Sequence, residues 1–163
     1  MPVPAAQYQL AKMYKNGKAP FIAQDIAKSF QLFSAAADAQ YPLARYELAQ
    51  MFFEGNGTDK NEKRAFRLML LAAKDGLVHA QMTLSNWYQK GIGTAKDEYN
   101  AFKWMRAAAI RKNANAQLQT AQNYLDGLGT PVDRQEALYW ATQAQKNKHP
   151  EAEKMIQSIK EQL

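Results

Sequence analysis

The feature that most constrains the fold of this chain is a period of 36 residues. An alanine series and two glycine series keep this interval: Ala44, Ala80, Ala116 and Ala152; Gly55, Gly91 and Gly127; Gly57, Gly93 and Gly129. A shift of 38 extends the pattern backwards, which places two extra residues in the first loop, within KAPFIAQD (18–25). The sequence predicts four copies, about 6–41, 42–77, 78–113 and 114–149, and a terminal helix over 150–163, in a single domain over 1–163. Such repeats stack so that each copy covers its neighbour.

Each copy reads as two helices. In the first helix, small and apolar residues recur every four positions, as in Ala44, Leu48 and Phe52, which is one face of a helix. In the second helix, Ala101 and Ala108 flank Trp104, which we expect at a core position. Proline suits the first turn of the first helix, as at Pro4, Pro42 and Pro150. Glycine ends the first helix, at Gly17, Gly55, Gly91 and Gly127. Asp or Asn caps the second helix, at Asp25, Asn61, Asp97 and Asp133. The predicted fold class is all-α, a right-handed superhelix of helix pairs that forms an α-solenoid.

Composition excludes several classes of protein. The 163 residues are 47% hydrophobic, which is sufficient for a folded core. The chain contains no cysteine, so disulfides, cysteine-ligated zinc and thiol nucleophiles are ruled out. No apolar run has the length of a membrane helix, and MPVPAAQYQL lacks the basic and apolar regions of a signal peptide. The compartment stays open. A signal trimmed before Met1 would favour the bacterial periplasm or cell envelope over the cytoplasm.

The sequence carries little that resembles catalytic chemistry. His79 and His149 stand at distant helix starts, where a surface or capping role is favoured over metal binding. No serine lies in a Gly-x-Ser-x-Gly or Ser-x-x-Lys motif. The loop GNGTDKNEK has neither the spacing of a phosphate-binding loop nor the ligands of a calcium loop. We expect no enzyme activity, no cofactor and no metal site.

The charge balance permits an anionic partner without naming one. The formal net charge is +6, and residues 78–113 hold six Lys and Arg against two Asp and Glu. Lysines scattered over solvated helix faces are the favoured interpretation, with an acidic protein partner left open. Nucleic acid binding by YNAFKWMRAAAIRK is disfavoured because Trp104 stands at a core position. A membrane-binding amphipathic helix has no specific support.

The repeated string resembles the Sel1-like repeat, a relative of the tetratricopeptide repeat. It reads Ala-x-x-x-Leu-[Ala/Ser]-x-[Met/Trp]-[Tyr/Phe]-x-x-Gly-x-Gly-Thr, followed by Ala-x-x-[Trp/Leu]-x-x-x-Ala-Ala, over nearly the whole chain. Ser29, Thr120 and Asn123 depart from it, which weakens single copies but keeps the register. The resemblance implies a bacterial, non-enzymatic scaffold for protein–protein interaction, often in the cell envelope. One alternative is an immunity protein that neutralises a secreted toxin. Another is a cell-envelope hydrolase like the branch linked to β-lactam and peptidoglycan binding, although that branch carries disulfides that this chain cannot form.

The resemblance also implies where a partner binds. In tetratricopeptide geometry the first helix of each pair lines the concave groove, so residues at fixed offsets from its central leucine face the partner. The expected partner-binding residues are Tyr8, Lys12, Lys15, Tyr46, Gln50, Phe53, Met82, Asn86, Lys90, Leu118, Gln122 and Leu125. They form an apolar stripe rimmed by amides and lysines, typical of a protein or peptide site. Burial of several of them against neighbouring first helices and self-association through the groove both stay open.

Overall fold

A computed structural model describes residues 3–18 and 20–162, and the described part is helical. Met1 and Leu163, which belong to the predicted domain, lie outside these residues, as does Ala19 of the first loop. The described helices are α1 (Pro4–Asn16), α2 (Ile26–Asp38), α3 (Pro42–Glu54), α4 (Glu62–Lys74), α5 (Val78–Lys90), α6 (Glu98–Ile110), α7 (Ala114–Asp126), α8 (Arg134–Lys146) and α9 (Ala152–Lys160). The described residues contain no strand beyond one antiparallel bridge between Lys18 and Ile22. Within these ranges no helix combines the length and apolarity needed to span a membrane.

Each second helix begins at a side-chain cap, as predicted. The Asp25 carboxylate accepts the Lys28 amide at 2.9 Å, and Asn61, Asp97 and Asp133 cap α4, α6 and α8 in the same way. Pro4 and Pro42 open α1 and α3. The placement of Pro150 in a first helical turn is wrong, because α9 begins at Ala152. In the turn before this helix the His149 imidazole accepts the Glu151 amide at 3.2 Å, and α9 has no side-chain cap.

The glycines after the first helices differ between copies. Gly55 and Gly127 are left-handed, with ψ near 34° and 30°, and end α3 and α7 as predicted. Gly17 also has a positive φ of 68°, but its ψ is 147°. The reason is the loop that follows, which spans nine residues (17–25) in copy one and seven in the others (55–61, 91–97 and 127–133). The two extra residues predicted for the first loop are therefore present.

The chain divides into two compact units, residues 1–80 and 81–163, called here the N-terminal unit and the C-terminal unit. In the N-terminal unit α1 packs on α2, α2 on α3 and α3 on α4; in the C-terminal unit α6, α7, α8 and α9 pack in sequence. The repeat alanines are fully buried in both, which allows helices to approach closely. The largest fully buried side chains are Phe33, Met51 and Met69 in the first unit and Leu84 and Ile159 in the second. The single domain over 1–163 stays a prediction.

The second glycine of the loops in copies two and four serves a close approach as well as a turn. A Cβ atom on Gly57 would lie 2.7 Å from Ile26 Cγ2, and one on Gly129 would lie 2.0 Å from the Glu98 carbonyl oxygen. The loop of copy two is therefore seated on the start of α2, and the loop of copy four on the start of α6. Only glycine leaves room for the backbone at these points.

Polar residues at apolar repeat positions are buried and hydrogen-bonded. The Ser29 hydroxyl donates to the Ala11 carbonyl at 2.9 Å, and the Thr120 hydroxyl donates to the Ala116 carbonyl at 2.7 Å. The Asn123 side-chain oxygen accepts the Gln119 amide at 3.2 Å. All three departures from the repeat pattern thus keep their side chains inside the fold, with partners that limit the cost of burial.

Burial departs from the repeat pattern in α1, and the core position predicted for Trp104 needs correction. Ala6 and Leu10 of α1 are exposed although the equivalent residues Ala44 and Leu48 are buried. In the N-terminal unit α3 has α2 packed against it on the preceding side, whereas no described helix precedes α1. Trp104 is half-buried and its neighbour Met105 is buried, so the core position of α6 belongs to the methionine.

Candidate protein-binding surface

A cleft of about 500 Å³ lies between α7 and α9 in the C-terminal unit. Three predicted partner-binding residues of α7, Leu118, Gln122 and Leu125, line it together with Asp126. The opposite wall comes from the last described helix and its flanks: Glu151, Lys154, Met155, Ser158 and Gln162. Sequence reasoning missed this wall, because α9 was expected only to cover copy four.

A second cleft of about 430 Å³ lies one copy earlier in the same unit. Met82, Asn86 and Gln89 of α5 line it with Thr83, Met105 and Gln119. Met82, Asn86 and Gln89 stand 36 residues before Leu118, Gln122 and Leu125. The same three register positions therefore line successive clefts. Lys90 is exposed but does not line this cleft.

The α7–α9 cleft has an apolar floor and a polar rim. Leu118 is only 8% exposed and packs with Ala144, Ala152 and Met155, so its expected place on an exposed stripe is wrong and it forms the floor. At the rim the Gln122 amide donates to the Asp126 carboxylate at 2.9 Å. Such a cleft can take an apolar side chain while its rim bonds the backbone or polar groups of a partner.

In the N-terminal unit the predicted α1 residues are held by intramolecular contacts. Tyr8 is 6% exposed and its ring lies 5.3 Å from that of Tyr41, so the expectation that Tyr8 is exposed is wrong. Burial raises the pKa of the Tyr8 phenol, and the Glu47 charge adds to the rise. Lys12 Nζ lies 5.6 Å from the centre of the Tyr8 ring, and Lys15 Nζ lies 2.8 Å from Glu47.

The α3 residues of the N-terminal unit are more accessible. Tyr46 and Phe53 are half-buried, and Gln50 donates to the Tyr46 hydroxyl at 3.2 Å. Lys60 Nζ lies 5.4 Å from the centre of the Phe53 ring. Tyr46, Gln50 and Phe53 occupy the register positions that line the clefts of the C-terminal unit. They remain the candidate contact residues of this unit.

The groups with shifted pKa values serve packing and capping. Burial raises the pKa of Tyr88 and of Tyr124. Hydrogen bonds from Asn100 lower the pKa of Asp97, which caps α6. Across residues 3–18 and 20–162 there is no group of three or more His, Cys, Asp or Glu placed to hold a metal ion.

Paired helices with recurring small residues and first-helix clefts define the class of helical repeat proteins that includes the tetratricopeptide repeats. The Sel1 repeat matches residues 4–41, 42–77, 78–113 and 114–149, so the chain belongs to the Sel1 repeat family. This confirms the predicted family, and the first matched range begins at residue 4. The all-α fold class of four Sel1-like helix pairs followed by a further helix is likewise confirmed.

Solved structures with this fold come from several bacteria. A protective antigen of uropathogenic Escherichia coli strains, c5321, is 26% identical with a TM-score of 0.91, over 98% of this chain and 34% of that one. A Sel1 repeat protein from Oxalobacter formigenes is 29% identical with a TM-score of 0.82, over 93% of this chain and 62% of that one. The immunity protein Pa5087 from Pseudomonas aeruginosa shares the fold at 16% identity and a TM-score of 0.56, over 94% of this chain and 61% of that one. The chain thus spans about a third of the first of these proteins and less than two thirds of the other two. A comparison with curated proteins found no match.

Proposed function

We propose that this chain is a non-enzymatic interaction module that binds a protein segment on the first-helix face of its C-terminal unit. The observation that carries the proposal is the recurrence of one register triplet, Met82, Asn86 and Gln89 and then Leu118, Gln122 and Leu125, in the walls of two successive clefts. A repeated cleft suits a repeated ligand, and a polypeptide is the ligand that presents side chains at regular intervals.

The chemistry of the cleft walls supports a protein partner over a small molecule. The linings of the two clefts combine apolar side chains such as Leu118 and Met155 with side-chain amides such as Asn86 and Gln122. The amides can donate to and accept from a peptide backbone, and the apolar floors can bury its side chains. The charged rim of the α7–α9 cleft, with Asp126, Glu151 and Lys154, carries both signs, so the acidic character expected of the partner does not arise at this cleft.

The experiment selects peptides from a displayed random library against the purified chain and measures their affinity for variants. We expect Gln122→Ala with Leu125→Ser to weaken a selected peptide by about tenfold or more, because both side chains line the cleft. Asn86→Arg, at an exposed position, tests the second cleft by obstruction without disturbing the core. Leu71→Ser is the matched control, since Leu71 is an exposed leucine of α4 that lines neither cleft.

The proposal fails if folded cleft variants bind the selected peptides as the native chain does. Circular dichroism and the melting temperature establish that each variant is folded. The two narrower roles, immunity protein and cell-envelope hydrolase, have separate signatures. An immunity protein would abolish the activity of one secreted toxin through these clefts. A hydrolase would turn over β-lactam or peptidoglycan substrates and would overturn the non-enzymatic assignment.

A further inference from the structure

The outward face of α6 carries a stripe of four exposed side chains: Tyr99, Lys103, Arg106 and Ile110. We call this set the α6 outer stripe. Its spacing of four, three and four residues keeps the members on one side of a helix, over about 16 Å at a rise of about 1.5 Å per residue. The opposite side of α6 is buried through Ala101, Met105, Ala108 and Ala109. None of the stripe residues lines either first-helix cleft.

The stripe borders a shallow groove of about 300 Å³ whose base is formed by Phe102 and Ala107. At its ends Tyr99 is 66% exposed and Ile110 is 60% exposed, although both are large apolar residues. The base is held in place from α7, because the Phe102 ring meets the Tyr124 ring edge-on at 5.1 Å. The Arg106 guanidinium lies near enough to the Tyr124 phenol to act against the rise that burial causes in its pKa. The groove is thus a supported surface with exposed apolar ends.

The segment of chain that carries the stripe has charged side chains of one sign. Between Glu98 and Asp126 the chain contains four cations, Lys103, Arg106, Arg111 and Lys112, and no Asp or Glu. All four are exposed. In the part of the chain that the structure describes, ion pairs join Lys15 to Glu47, Arg45 to Asp75 and Lys60 to Glu62, and none involves these four. Four of the six cations noted in residues 78–113 therefore lie on α6 or directly after it, and none of these four forms an ion pair with a described residue.

We propose that the α6 outer stripe is a docking site for an acidic amphipathic helix of another protein. Spacings of four and three residues are those by which one helix packs along another. An acidic helix would place carboxylates beside Lys103 and Arg106 and apolar side chains on Tyr99 and Ile110. The charge complementarity commits the site to an anionic partner, and it disfavours a second copy of this chain, whose own stripe is cationic and whose net charge is +6. Nucleic acid fits less well, because the two apolar ends would face phosphates.

The test uses a fluorescent helix-forming peptide of about sixteen residues, with leucine, glutamate, glutamate and leucine at the spacing of the stripe and alanine and glutamine elsewhere. We expect it to bind the native chain and to lose affinity as salt is raised. The double variant K103E/R106E should weaken binding by about tenfold or more, since both carboxylates of the peptide would then face like charges. Tyr99→Ser with Ile110→Ser should also weaken binding, by removing the apolar ends.

The controls separate a shaped site from general attraction to a basic protein. K18E/K160E changes the net charge by the same amount at two exposed lysines outside the stripe, and it should leave the affinity unchanged. A peptide with glutamines in place of the glutamates should bind about tenfold more weakly to the native chain. The proposal is overturned if K18E/K160E weakens the peptide as much as K103E/R106E, or if folded stripe variants bind normally. It is also overturned if a short single-stranded oligonucleotide binds through Lys103 and Arg106 and the acidic peptide does not.

Discussion

Lys15 Nζ of α1 lies 2.8 Å from the Glu47 carboxylate of α3, and this ion pair joins the first helices of copies one and two. Both side chains are about a quarter exposed. Pairs of this kind contribute about 0–1 kcal/mol after the ordering of two long side chains. In a double-mutant cycle of Lys15→Met and Glu47→Gln, we expect a coupling free energy below about 1 kcal/mol that decreases with salt. Urea unfolding measures it, and a coupling above about 2 kcal/mol would show that water is excluded from the pair.

Phe52 and Phe53 are adjacent in α3 but differ in burial, which gives a matched pair of variants. Phe52 is buried and edge-on to Phe30 at 5.6 Å, so Phe52→Ala should cost about 3–5 kcal/mol. Phe53 and Tyr46 are half-buried at first-helix register positions. Phe53→Ala or Tyr46→Ala should leave the melting temperature nearly unchanged and weaken a native partner by about 1–3 kcal/mol.

The partner is recovered by pull-down, and its affinity for these variants is compared with its affinity for Lys63→Ala on α4. That substitution should have little effect, because Lys63 is exposed on a second helix. If Phe53→Ala unfolds the protein while the folded fraction binds normally, Phe53 is a core residue and the first-helix face of the N-terminal unit is not the contact surface.

Gly129 and Gly91 share a positive φ but differ in the space beside them. A Cβ atom on Gly129 would lie 2.0 Å from the Glu98 carbonyl oxygen, whereas on Gly91 it would lie 3.1 Å from the flexible Lys96 side chain. Gly91→Ala should cost about 1 kcal/mol, for its backbone conformation alone. Gly129→Ala should cost about 1–3 kcal/mol more, because backbone must move. Denaturant titrations compare the two, and equal losses would contradict the close approach.

Ile159 and Ile110 test whether α9 is part of the core. Ile159 is 1% exposed on α9, and Ile110 is largely exposed on α6. Ile159→Ala should lower the free energy of unfolding by about 2–5 kcal/mol, through lost burial and a cavity. Ile110→Ala should change it by no more than about 0.5 kcal/mol. If Ile159→Ala hardly changed the free energy of unfolding, α9 would open readily, and the α7–α9 cleft would then lose its second wall.

The cap at Asp97 predicts a pH dependence of a definite sign. The Asn100 backbone and side-chain amides lower the pKa of the Asp97 carboxyl from its ordinary value near 3.8. The stabilisation is therefore present above the unfolded pKa and is lost as the pH falls through the lower folded pKa. Asp97→Ala should destabilise the protein at neutral pH, and its difference from the native chain should vanish in strong acid. NMR titration of the carboxyl checks the shift, and a midpoint above 3.8 would contradict it.

The sequence period was sufficient to predict the helices, because caps and glycines mark their ends locally. How deeply each side chain on the first-helix face is buried was harder to predict. Leu118 and Leu125 obey the same offset rule, yet Leu118 lies on the floor since α9 packs over it. Tyr8 is buried by Tyr41, a residue outside the offsets. The burial of a side chain depends on where the neighbouring helix lies, and its sequence offset from the central leucine carries no information about that position.

The α6 outer stripe was missed for a different reason. The repeat pattern consists of what equivalent positions share, and the positions equivalent to Tyr99, Lys103, Arg106 and Ile110 in copy four hold Gln135, Tyr139, Thr142 and Lys146. What distinguishes α6 is the absence of acidic residues over a long segment, which a search for similarity ignores. The stripe is therefore recognised from what differs between the copies and not from what they share.

Gly57 rests on the start of α2, and Gly129 rests on the start of α6. The segment that repeats in the sequence is therefore not the segment that packs as a unit. Each segment that the Sel1 repeat matches begins at a first helix. The loops of copies two and four nevertheless rest on a helix that belongs to the previous segment. A block excised at the segment boundaries would carry such a loop without its support and a helix start without its cover. A block that begins at a second helix and ends after the next loop would keep both, so the unit that keeps its contacts is offset from the unit that the family match delimits.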